Sequence, residues 1–352
     1  MFRQLRSSTS LFLLCSSIFL SACTEQEAII YSWQLQSQAT ESSSDFKELL
    51  VMAEDIKIMS SGRFIITPVP GGTITNGPDI FNAVKDGRVA MGNGWPNWWS
   101  GQHPAWGVMN AGPFDFMNLD ASMMFFLAGD GTRLANELSM PDGVIWRPAW
   151  WPGMEFGLLS KDSIRSIEDL KSKKVRVGPG LPSELLAAVG AFSIPLIPQE
   201  IRPALESDEL DAVEWTTTSG AWDLGLQDIA KHAIVPAIWQ PAVLADFLIN
   251  EKSYTELPTD LQKILETAIR SYTLTTTMKN KVSDIAALKK FKDSGTVINR
   301  WSAEDIETMR VESDVIYKQY QSDNDFSDKL IKSKRMFKQK FNEYYLLFGA
   351  YD

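Results

Sequence analysis

Lys174-Val175-Arg176-Val177-Gly178-Pro179-Gly180, Leu210-Asp211-Ala212-Val213-Glu214-Trp215 and Ile238-Trp239-Gln240-Pro241 mark out the stretch 173–240 on which the fold turns. Alternating Val-Arg-Val ahead of Gly-Pro-Gly has the pattern of a short strand that brings one arginine to a sheet edge before a turn. Leu181-Pro182-Ser183-Glu184 then opens an apolar-periodic helix, so backbone N–H groups and a positive helix end are expected near Arg176. A guanidinium beside a helix N-terminus suits a small carboxylate, because its fork of donors matches two oxygens. The plainer reading is a surface arginine on a half-exposed strand.

Working outward, the run Ala83-Val84-Lys85-Asp86-Gly87-Arg88-Val89-Ala90-Met91-Gly92-Asn93 echoes Ala204-Leu205-Glu206-Ser207-Asp208-Glu209-Leu210-Asp211-Ala212-Val213-Glu214. Each reads as a short helix, a charged turn and a strand ending on a polar residue. In open α/β sheets ligands sit at the carboxyl ends of strands. Two similar domains would therefore turn Asn93 and Glu214 toward one crevice; chance likeness of two such units is the competing explanation. Period-2 and period-3.6 patterns place strands at 30–35, 63–67, 89–92, 245–250 and 296–301, between helical segments. The expected fold is α/β, with two domains of the periplasmic-binding-protein type, mostly parallel sheets and a ligand cleft between the domains. Domain I takes 24–150, completed by parts of 241–352, and domain II takes 151–240. A long helix over 255–291, with Pro258 in its first turn, braces both. A last helix over 325–348 carries Leu330, Phe337, Phe341, Tyr344, Tyr345 and Phe348 on one side.

The N-terminus reads as a secretory leader: Arg3 and Arg6, an apolar core over 11–20, then Leu20-Ser21-Ala22-Cys23. Cysteine directly after Leu-Ser-Ala resembles a bacterial lipobox, which makes 1–23 the leader and Cys23 the lipidated residue. An ordinary cleaved leader that happens to contain cysteine is the alternative. Cys15 leaves with the leader, so no intrachain disulfide is expected. The net charge of −10 argues against nucleic acid and against an anionic membrane surface. Attachment to the membrane is expected by lipid only. Two histidines, His103 and His232, leave little for a zinc site or a Cys-His pair.

Taken together and in order, the lipobox, Gly94-Trp95-Pro96-Asn97-Trp98-Trp99-Ser100-Gly101-Gln102-His103-Pro104-Ala105, Val175-Arg176-Val177-Gly178 and Leu210-Asp211-Ala212-Val213-Glu214-Trp215 resemble a known family. It is that of the extracytoplasmic substrate-binding proteins of TRAP transporters, more narrowly the branch that binds 2-oxo acids and lactate with a cation. The resemblance covers about residues 30–348 and implies a periplasmic two-domain protein that closes on a small organic acid and delivers it to membrane permease subunits. It puts Arg176 on the substrate carboxylate, and Glu214 with the Trp215 carbonyl on a metal ion, sodium or calcium. Asn97 and Trp98 fall where the family has ligand-facing tyrosines, and Gln240 falls near the ion. It also implies a homodimer held by the C-terminal helix.

This chain departs from the pattern just before Gly157, where Met154-Glu155-Phe156 stands in place of a metal-binding glutamine. If Glu155 replaces it, Glu155 joins the ligand and metal residues and a divalent ion is favoured. If Met154 does, the site loses a ligand. A cation suits the chemistry, because an oxo or hydroxy acid chelates a hard ion through adjacent oxygens and a lone buried carboxylate is costly. Glu214 could instead pair with a lysine or with Arg176. Two other functions compete: a secreted hydrolase using Glu155 and Glu214 as acid and base, and a receptor feeding a sensor kinase. No Ser-His-Asp or zinc motif supports catalysis.

Overall fold

The computed structural model describes residues 29–153 and 155–349. The expected leader with Cys23, and Met154, lie outside the described residues. Among the described residues, eleven strands run in chain order as β1 (Tyr31–Gln36), β2 (Phe64–Val69), β3 (Met91–Gly94), β4 (Val144–Trp150), β5 (Leu158–Ser160), β6 (Lys174–Arg176), β7 (Phe192–Ser193), β8 (Ala212–Val213), β9 (His232–Val235), β10 (Ala245–Asn250) and β11 (Val297–Arg300). They form two sheets, β2-β1-β3-β10-β4 and β11-β9-β5-β8-β6-β7.

Both sheets are mostly parallel, as expected, and each is made mixed by one reversed strand. β10 runs antiparallel to β3 and β4, and β5 runs antiparallel to β8 and β9. The cause is connectivity: β5 follows β4 from the other sheet and β10 follows β9 from the other sheet. Neither is fed by the helical crossover that makes neighbours parallel. The segment after residue 240 also completes both sheets, since β11 pairs with β9 in the second.

Each sheet is buried on both faces. On β10, Phe247 and Ile249 point to one core and Leu248 to the other. On the second sheet Leu158, Val175, Ala212 and Ile234 face one core while Leu159, Val213 and Ala233 face the other. This period-2 division follows from the pleat.

The helix Thr259–Asp293 starts after Pro258, whose fixed φ suits a helix entrance, and runs for 35 residues, or about 52 Å. Leu261, Leu265, Ala268, Ile269 and Tyr272 lie on the first sheet's core. Phe291, at its far end, is fully buried edge-on to Phe156 (5.2 Å) and Trp222 (5.3 Å) of the second. One rigid rod thus spans both sheets. The C-terminal helix Asp325–Phe348 packs Leu330, Ile331 and Phe341 into the first domain, but leaves Tyr344, Tyr345, Leu346 and Phe348 exposed.

Candidate functional site

Arg176 closes β6, and β6 pairs in parallel with β8 so that Arg176 lies opposite Val213. Glu214 is therefore the first residue beyond β8, and its N–H donates to the Arg176 carbonyl at 2.9 Å. The register places both side chains at the carboxyl end of adjacent strands, where an open α/β sheet presents its ligands. Just beyond, Gly180 takes φ 87° before the helix Leu181–Ala188, a backbone conformation that glycine adopts without steric cost.

Arg176 Nη1 donates to Glu214 Oε2 at 3.1 Å and to the Glu214 carbonyl at 3.0 Å. Its guanidinium lies 5.1 Å from the Trp215 ring centroid, within cation–π range. Gln240 Nε2, from the segment joining β9 to β10, donates to Glu214 Oε1 at 2.7 Å. Glu214 is completely buried. Burial pushes its carboxyl upward, while Arg176, Gln240 and the Gly178 N–H pull it back.

Glu155 joins this group across the sheet. It is 8% exposed; no N–H or hydroxyl of the described residues donates to it, and its carboxyl lies within hydrogen-bond reach of the Glu214 carboxyl. Burial first, and then the negative charge of Glu214, push its carboxyl well above the ordinary range against the pull of Arg176. Asp284 of the long helix adds to that repulsion. Asp284 accepts from the Ser219 N–H (2.7 Å) and hydroxyl (2.6 Å), which ties the turn after Trp215 to the rod.

The first domain reaches the same place through Asn97. Its Nδ2 donates to the Pro179 carbonyl at 3.3 Å, and its Oδ1 accepts from Asn110 Nδ2 at 3.0 Å. A Cβ on Gly178 would stand 3.1 Å from Gln240 Oε1 and 3.8 Å from Asn97 Nδ2, so glycine is what lets both walls approach.

Of the residues expected from sequence, Arg176, Glu214, Trp215, Gln240, Glu155 and Asn97 are brought together here. Trp98 is not part of this cluster: its ring packs over Gly77 and lies edge-on to Trp99 at 6.4 Å. Asn93 does not turn to the crevice either. It is fully buried, accepts from Ser37 Oγ at 3.3 Å and donates to the Asp246 carbonyl at 2.9 Å, binding the first sheet together. A strand-end amide with partners on both sides is a structural tie. His103 Nδ1 accepts from the Ala105 N–H at 3.1 Å, a turn contact. His232 lies in β9.

Sequence reasoning missed Asn110, Asp284 and Asp246. Asp246, in mid-strand, holds Trp99 Nε1 (2.8 Å) and Trp146 Nε1 (2.7 Å) on one oxygen, directly beneath the tryptophan-rich segment. A carboxylate inside the apolar run 242–249 was the available signal.

Two carboxylates, a carboxamide and a backbone carbonyl are hard oxygen donors, the set that suits sodium or calcium rather than zinc or copper. No cluster of three or more His, Cys, Asp or Glu side chains fit for a metal occurs among the described residues. The buried carboxyls of Glu155 and Glu214, facing each other with no lysine between them among the described residues, fit a cation, which would offset two acids that otherwise disfavour each other's charge.

The model of the bacterial extracellular solute-binding protein, family 7 (DctP), matches residues 35–323. The monocarboxylate 2-oxoacid-binding periplasmic protein of Nostoc sp. is 28% identical over 272 residues, covering 77% of this chain and 74% of that protein. A TRAP periplasmic solute-binding protein of Pseudoalteromonas atlantica, crystallised with sodium and pyruvate, superposes with a TM-score of 0.84 at 25% identity, over 90% of this chain and 96% of that one. Its counterpart from Colwellia psychrerythraea, with calcium and pyruvate, gives 0.86 at 25% identity, over 90% and 97%.

Proposed function

Because the chain belongs to the family 7 bacterial extracellular solute-binding proteins, we propose that it captures a small 2-oxo or 2-hydroxy carboxylate together with a cation for a TRAP permease. The observation that carries this reading is the buried Arg176–Glu214 pair at the ends of β6 and β8, with Gln240 and Glu155 beside it. An arginine at 18% side-chain exposure keeps donors within reach of a carboxylate entering from the crevice, in a setting dry enough to strengthen the contact.

Arg176 receives the ligand carboxylate, and Asn97 borders the ligand from the first domain. Glu214, Gln240, the Trp215 carbonyl and Glu155 are the groups that hold the cation. That ion supplies positive charge against Glu214 and against the ligand oxygens. With such an ion against Glu214, the Arg176 donors that now reach Glu214 would be available to the ligand carboxylate. The Glu155 and Glu214 carboxyls lie within hydrogen-bond reach of each other, closer than the roughly 5–9.5 Å that separates the paired carboxylates of glycoside hydrolases, so a binding role fits better than hydrolysis.

Two further features belong to the proposal. Leu20-Ser21-Ala22-Cys23 supports a lipid anchor at Cys23 on the periplasmic side of a membrane. The exposed apolar end of the C-terminal helix supports pairing of two copies. Metabolic labelling with palmitate, with and without Cys23→Ser, tests the anchor. Native mass spectrometry of protein purified without added ligand, followed by calorimetric titration of stripped protein with pyruvate, tests the binding function. No retained or titrated carboxylate under any ion condition would refute it.

A further inference from the structure

We propose that a cavity between the segment 108–115 and the last two helices binds a phosphate-type oxyanion, free in solution or as the monoester headgroup of a lipid. The cavity measures about 130 Å³, room for a few water-sized groups. Arg310 and Asp314 of the helix Ala303–Asp323, Lys334, Arg335 and Lys338 of the C-terminal helix, and Asp115 are its charged lining. Four cations therefore face two acids, on a chain whose net charge is −10. The segment 108–115 stands between this cavity and the carboxylate cleft. Asn110 donates to Asn97 at the cleft (3.0 Å), while its carbonyl and that of Val108 accept from Lys334 (3.0 and 2.9 Å) at the cavity.

Pairing within the cavity leaves a surplus of positive charge. Lys334 pairs with Asp115, and both side chains are almost wholly buried. Arg335 Nη2 donates to Asp314 at 2.9 Å. Both acids are then taken, and Arg310 and Lys338 remain. Arg310 lies 4.4 Å from the Phe114 ring centroid; its one carboxylate partner among the described residues is Glu307, 3.5 Å from Nε and outside the lining. Lys338 is half-buried, donates to the Phe114 carbonyl and has no carboxylate in salt-bridge range among the described residues. Burial holds its ammonium below the ordinary lysine value; Asp115 pulls it up, and Arg310, Arg335 and Lys334 push it down. A half-buried ammonium crowded by three cations lacks the counter-charge that such groups normally find. A guanidinium fork beside an ammonium is a donor set that recognises phosphate oxygens. Pro113, Phe114 and Ile331 line the rest, and their apolar walls strengthen the contact. A surplus of two positive charges matches phosphate, which carries between one and two negative charges near neutral pH, better than a carboxylate.

The test titrates the mature protein with sodium phosphate by calorimetry at low salt. A second arm floats it with phosphatidylcholine vesicles, with and without phosphatidic acid. Binding in either arm supports the site: the first identifies a free anion, the second a lipid headgroup. That binding is expected to fall about tenfold or more in Lys338→Met and in Arg310→Gln, the loss of one charged hydrogen bond. It is expected to persist in Arg176→Ala, which removes the cleft arginine, and in Lys340→Met, which removes an exposed charge of the same helix outside the cavity. Binding in neither arm overturns the inference, a result that needs no variant to fold. Loss in Arg176→Ala would put the anion in the cleft, and an equal loss in Lys340→Met would mean diffuse attraction; each overturns it. Affinity within about threefold of wild type in both Lys338→Met and Arg310→Gln overturns it as well. None of these outcomes touches pyruvate binding, which is measured separately.

Discussion

Asp246→Asn should make the protein's stability markedly less sensitive to a rise in pH from about 4 to about 8. Burial raises the Asp246 carboxyl from its ordinary 3.8 to about 7, against the pull of the Trp99 and Trp146 indoles. The folded state therefore holds a proton that the unfolded chain releases about three units lower. Its contribution to stability is complete below pH about 4, and it is lost as pH rises through about 7. At about 1.4 kcal/mol per unit, the loss is roughly 4 kcal/mol by pH 8. Asparagine mimics the protonated acid: its carbonyl still accepts both indole N–H groups, and it cannot ionise. Urea unfolding followed by far-UV circular dichroism, at pH steps from 4.5 to 8.5, measures the stability difference between variant and wild type. That difference should move in the variant's favour by about 3 kcal/mol across the range, about 1 kcal/mol having already been lost at pH 4.5. Glu155 and Glu214, whose carboxyls are also raised, titrate alike in both proteins and cancel. A difference constant to within about 1 kcal/mol would mean that the folded protein ionises Asp246 as readily as the unfolded chain does, and would refute the reasoning.

Arg176→Ala should keep the fold but weaken pyruvate binding at least thirtyfold, because truncating one partner of a buried charge-assisted contact costs roughly 2–5 kcal/mol; an affinity within threefold of wild type in calorimetry would remove Arg176 from the site. Lys334 is nearly buried, pairs with Asp115 and donates to the Val108 and Asn110 carbonyls at 2.9 and 3.0 Å. Lys334→Met strands that acid, so the urea midpoint should fall by the equivalent of about 3–5 kcal/mol; a fall below about 1 kcal/mol would show that Asp115 is solvated without it. Leu346→Glu with Phe348→Glu should turn any dimer into monomer in light scattering while leaving the melting temperature unchanged, since both side chains are exposed; a dimer that survives would place the interface elsewhere. Deleting the whole helix is not an equivalent test, because Leu330, Ile331 and Phe341 belong to the core.

The sequence determined the elements that carry strong local signals. The long helix expected over 255–291 is Thr259–Asp293, and the last one over 325–348 is Asp325–Phe348. In both, start residues and 3.6-residue periodicity run for many turns, so local and tertiary demands agree. Val-Arg-Val before Gly-Pro-Gly likewise sufficed to put Arg176 at a strand end, and Leu210-Asp211-Ala212-Val213-Glu214 did the same for Glu214. Strands of two to four residues such as β7, β8 and β9 are too short for a period to declare their partners, and nothing local says that β11 joins the second sheet. Glu214 could have paired with a lysine, with Arg176 or with an ion. Only the fold brought Arg176 from β6 and Gln240 from the segment after β9 onto its two oxygens. In the same way it tied Asn93 into the sheet, folded Trp98 over Gly77 and set the Glu155 carboxyl against that of Glu214. A side chain's identity and neighbours fix what it can bond to; which of those bonds forms depends on groups tens of residues away, brought close by burial of the two sheets.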